Sequence, residues 1–124
     1  MKIIAPISVG ELQDKISILE IKIEKITDQT KLQNVRIELD LLKELRAQNE
    51  IAQELFSELK QVNGELWDIE DEIRIYEKNK DFGQKFIDLA RSVYVKNDRR
   101  FEIKNKINTN HNSVIVEEKS YEKY

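Results

Sequence analysis

Seven apolar residues, Leu55, Leu59, Val62, Leu66, Ile69, Ile73 and Tyr76, recur at alternating spacings of four and three. That rhythm places all of them on one seam of a single long helix, and a β fold has no use for it. It returns in Val9, Leu12, Ile16, Leu19, Ile23 and Ile26, and again in Leu32, Val35, Leu39 and Leu42. Three glycines and one proline offer few points at which to break a helix, and a 36% share of charged residues is what long helices need for their outer faces. The sequence predicts an all-α protein: an antiparallel four-helix bundle with coiled-coil-like heptads, in a single domain over residues 1–124.

Helix ends are read from caps. Ser8 and Glu11 form a capping box that starts helix one at Val9, and Thr30 with Gln33 offers a second box for helix two. Helix two ends between Arg46 and Asn49, helix three runs over about 51–78, and helix four over 84–108 with Asp81 as its N-cap. Residues 2–5, ahead of Pro6, and the β-branched run Val114, Ile115 and Val116 both read as extended, so a short two-stranded pairing of the termini is expected. Such pairing needs both termini at one end, which four helices running up, down, up, down supply only if the chain breaks near Asn49. The last few residues are expected to fray.

Several function classes fall away on composition. No cysteine is present, which removes disulfides, thiolate nucleophiles and cysteine zinc sites, and the single His111 builds no histidine cluster. A net charge of −3 gives no general attraction to nucleic acid or anionic lipid. Neither a signal peptide nor a membrane-spanning apolar run is found, so the reading is cytoplasmic, with no membrane partner. A Ser-His-Asp set and a glycine-rich phosphate loop are also missing.

The motifs Pro6-Ile7-Ser8-Val9-Gly10-Glu11-Leu12 with Asp14-Lys15-Ile16, Asn34-Val35-Arg36, Leu66-Trp67-Asp68-Ile69-Glu70-Asp71, Asp81-Phe82-Gly83, Ala90-Arg91-Ser92-Val93-Tyr94, Asn97-Asp98 and Val116-Glu117-Glu118-Lys119-Ser120-Tyr121 span nearly the whole chain. Together they resemble a family of short, all-helical bacterial proteins of unknown function. The resemblance implies the helical fold and brings no activity or site residue with it.

Two sets of charged residues are candidates for chemistry. Glu11 with Asp14, and Glu65 with Asp68, stand one helical turn apart, the spacing at which helices present carboxylates to Mg²⁺. Residues 81–108 hold seven positive and four negative charges and residues 51–77 two positive and eight negative, so helices three and four are also complementary to each other. Within the basic set, Lys96 and Arg100 interrupt the seam Phe86, Leu89, Val93, Ile103, Ile107. A guanidinium at such a position requires a carboxylate or an anionic ligand. Matching helix levels makes Glu20 and Glu38 its nearest carboxylates.

Trp67, beside the seam, is expected to pack in a groove, whereas Ile18 and Ile21, off the helix-one seam, suggest either a second internal contact or a homodimer patch, with the dimer preferred. The leading functional reading is a protein-interaction or assembly protein without a cofactor, its partner a protein and conceivably a second copy. The alternative is a small enzyme or binding domain for a phosphorylated or carboxylated metabolite, using Lys15, Arg91, Asn97, Arg100 and Lys104, with Mg²⁺ on Glu11, Asp14, Glu65 and Asp68.

Overall fold

The computed structural model describes residues 1–124. It has four helices and no strand: α1 (Val9–Lys25), α2 (Gln29–Gln48), α3 (Gln53–Lys78) and α4 (Gln84–Asn110). Successive helices run in opposite directions. α1 packs against all three others, α3 pairs with α4 along its length, and α2 approaches only α1 closely, reaching α3 where the Arg46 guanidinium lies over the Phe56 ring.

Local chemistry accounts for the helix boundaries. Ser8 Oγ accepts from the Glu11 N–H at 3.0 Å and starts α1, but Glu11 does not complete the box, because its carboxylate is drawn to Lys104. α2 is capped by Asp28, which accepts from the Lys31 N–H at 2.9 Å; the expected box at Thr30 and Gln33 lies already inside the helix. An Asp is the better acceptor and stands first in the chain. Asp28→Ala is therefore expected to cost about 1 kcal/mol, and Thr30→Ala less than about 0.5 kcal/mol, in urea unfolding.

The break at Asn49 is real. Its backbone is non-helical, its side chain donates to the Leu45 carbonyl at 2.9 Å, and its own carbonyl accepts from the buried Gln13 side chain at 2.8 Å. α3 begins two residues later than expected. Before α4, Gly83 occupies the cap position, and Asp81, two residues ahead of it, accepts from the Gly83 N–H at 3.2 Å.

The start of α1 and the end of α4 lie at one end, as the topology demands, with the Val9 N–H donating to Ser113 Oγ at 3.2 Å. The two-stranded pairing does not form. Ile3 and Val114 are exposed, and the β-branched residues have no sheet or apolar face to cover them. The chain after His111 runs back along α4 instead. Glu117 reaches Lys104 at 3.0 Å, Lys119 lies over the Phe101 ring, and Tyr124 packs edge-on against Tyr94 while its hydroxyl donates to Asp98. That hydrogen bond pushes the Tyr124 hydroxyl up to about 12.

The core occupies the terminal half. Leu55, Leu59 and Val62 of α3 meet Ile103 and Ile107 of α4, and Leu12 and Ile16 of α1 meet Phe56. No residue from 64 to 102 is fully buried. α1 has 17 residues against 26 and 27 for α3 and α4, a shortfall of roughly 14 Å, so the far part of the α3/α4 hairpin stands without a third helix beside it. No helix is long and apolar enough to cross a membrane.

Candidate functional site

α1 and α4 come closest at Gly10, where a side chain would not fit. A Cβ there would stand 2.6 Å from the Lys104 carbonyl oxygen, and the Gly10 N–H donates to Asn108 Oδ1 at 2.6 Å. This approach fixes the register of two charged ladders. Glu11 and Asp14 rise one turn apart on α1, and Lys104 and Arg100 rise one turn apart on the antiparallel α4, so like levels meet.

The lower rung is Lys104 with Glu11 at 2.8 Å, joined by Glu117. Lys104 is 5% exposed. Burial pushes its ammonium down, but hydrogen bonds to Glu11 and Glu117 outweigh that and leave it raised. The upper rung is Arg100 with Asp14. Arg100 Nε donates to Asp14 Oδ1 at 2.9 Å and Nη2 donates to Oδ2, a bidentate pair on a carboxylate that is 1% exposed. The hydrogen bond to Asp14 raises Arg100 against the opposing effect of burial.

α3 completes the cluster. Asn63, buried, donates to Asp14 Oδ1 at 2.9 Å and to Ser17 Oγ at 2.8 Å, and Ser17 donates to the Asp14 carbonyl at 2.8 Å. Three helices thus meet on one carboxylate. Neither Glu20 nor Glu38, the partners expected for Arg100, takes part: Glu20 is held by Arg46 and Lys60, and Glu38 is exposed on α2.

The residues read as candidates are dispersed among different partners. Asn97 and Arg100 line one groove, whereas Lys104 lies a turn lower in the ladder, and Lys15 and Arg91 are exposed elsewhere. Of the carboxylates, Glu11 meets Lys104, Asp14 meets Arg100, Glu65 meets Lys96 and Asp68 stands 3.7 Å from Lys25. The hydrogen bond from Lys96 holds the Glu65 carboxyl below its usual range. No group of three acidic or histidine side chains converges as a cation would require.

Asn63 and Ser17 were missed in the sequence. Both are small polar residues beside apolar seams, and at such positions a side chain is equally often turned to solvent. Ile21 is buried and Ile18 half-buried beside it, and both line the groove between α1, α3 and α4. Trp67 is half-buried in the groove that Ile18, Leu66 and Arg100 also line.

The helices and this buried charge cluster define a small all-helical protein whose first and last helices are locked by ion pairs. The chain belongs to DUF6165, a family of unknown function, whose model matches residues 1–124. No curated protein and no solved structure matches it.

Proposed function

We propose that this is a cytoplasmic helical interaction and assembly protein, with proteins as partners, a second copy of the chain among them. One observation carries this reading: the two buried or half-buried cations that an anionic metabolite would need are already answered within the chain. Arg100 is neutralised by Asp14, and Lys104 by Glu11 and Glu117. A phosphate or carboxylate arriving there would have to displace a bidentate partner that is buried and further held by Asn63.

Binding through the surface fits the rest of the molecule. Large apolar side chains stand exposed on α2, at Ile37 and Leu41, and on the hairpin, at Ile75 and Ile87, where another chain rather than this one would bury them. A thermal-shift screen of phosphorylated and carboxylated metabolites, with and without Mg²⁺, tests the reading. No compound is expected to raise the melting temperature. A metabolite that raises it by several degrees, with the effect lost in Arg100→Lys, overturns it.

A further inference from the structure

Where α1 passes between α3 and α4 above the Arg100 rung, the three helices leave an open groove of about 480 Å³. Its floor is apolar: Ile18 and Ile21 from α1, Leu66 and Trp67 from α3. Its two ends differ. At the lower end Arg100 has committed Nε and Nη2 to Asp14, and its Nη1 and the Asn97 amide remain as donors suited to backbone carbonyls. At the upper end stands acid. On this stretch of α3, Glu65 is held by Lys96, Asp68 by Lys25 and Glu70 by Arg74, while Asp71, which lines the groove, is exposed and has no cation of its own.

The charge balance selects the occupant. Arg100 and Arg74 are each cancelled by a carboxylate, so what the groove presents outward is the unbalanced negative charge of Asp71. An anion gains nothing there. A helix carrying an apolar stripe flanked by lysine or arginine fills the floor with the stripe, sets its cations on the acidic rim, and uses Trp67 as an aromatic anchor. Because α1 stops at Lys25 while α3 and α4 continue, the upper end is open for such a helix to extend along the hairpin.

We propose that this groove is the docking site for a basic amphipathic helix of a partner protein. This rests on the reading of the protein as an interaction module and names the chemistry of its partner.

Trp67 is the sole tryptophan, so its emission reports on the groove alone. The probes are two synthetic peptides of about 14 residues, long enough for a helix of roughly 21 Å, with leucine on one face and either lysine or glutamate on the other. The lysine peptide is expected to shift Trp67 emission saturably and the glutamate peptide to leave it unchanged. Asp71→Lys, which reverses that charge, is expected to weaken the lysine peptide by roughly tenfold. The same charge change on α2, Glu38→Lys, is expected to leave its affinity within about twofold, since it lies away from the groove.

Equal binding of both peptides, or equal loss in the two charge-reversal variants, overturns the docking site. So does a Trp67 signal that follows protein concentration instead of peptide, which would put a second copy in the groove. Silence from both peptides alongside an empty metabolite screen defeats the groove assignment and leaves the interaction reading standing. A metabolite that passes the Arg100→Lys test defeats that reading itself.

Discussion

Arg100→Leu is expected to lower the stability of the folded chain by about 3 kcal/mol, read as the urea unfolding free energy at neutral pH. The cost comes from what is left behind rather than from the lost arginine. Asp14 is 1% exposed and keeps only Asn63 as a side-chain donor once the guanidinium is gone, so its charge must be borne by the interior. Removing one partner of a buried pair typically costs about 3–5 kcal/mol. The low end applies because the Arg100 side chain is 29% exposed, so water can enter where it stood.

The double variant Asp14→Leu with Arg100→Leu is expected to recover most of that loss, because two apolar side chains of fitting size replace two desolvated charges. Additive losses in the two single variants, with no recovery in the double, would show that the pair is not coupled and that the cluster has been misjudged.

The seam periodicities made the helices legible, because burying an apolar stripe is a local property of each segment. Val9, Leu12 and Ile16, or Leu55, Leu59 and Val62, announce their facing side without reference to any other helix. The break at Asn49 was legible for a different reason: two termini that both read as extended required an even number of helices. That inference reached the right topology through a strand pairing that does not exist. What holds the termini together is Ser113 accepting from Val9 and Glu117 on Lys104.

The site was legible residue by residue and not as a whole. Glu11, Asp14, Arg100 and Lys104 were each marked by their positions, but the acids were assigned to a cation and Arg100 to Glu20, Glu38 or an anion, when acids and bases answer one another. Finding that needs the register between α1 and α4, which no heptad specifies. Matching the ends of equal bundle helices sets Arg100 beside Ile18 to Glu20. α4 in fact continues to Asn110, and Gly10 sits against the Lys104 carbonyl, which moves Arg100 about one turn down α1 to Asp14. The sequence did carry a signal for this register, in a glycine inside the first turn of a helix, where alanine would be the better helix former.

That glycine yields a prediction in which one substitution takes opposite signs at two positions. Both Gly10 and Gly64 lie within helices, so replacing either with alanine gains up to about 1 kcal/mol of helix propensity. At Gly64 nothing stands within 4 Å of the new Cβ, and the gain is expected to appear in full as higher stability. At Gly10 the Cβ would meet the Lys104 carbonyl oxygen at 2.6 Å and Asn108 Oδ1 at 3.0 Å. A backbone carbonyl inside a helix does not rotate away, so α1 and α4 must separate. Overpacking of this kind costs about 1–3 kcal/mol, and separation also stretches the Gly10 to Asn108 hydrogen bond and both ion-pair rungs above it. Gly10→Ala is therefore expected to lower the urea midpoint at unchanged slope while Gly64→Ala raises it. Equal gains at both positions would mean that the helices do not touch at Gly10, and the register that pairs Arg100 with Asp14 would fall with that contact.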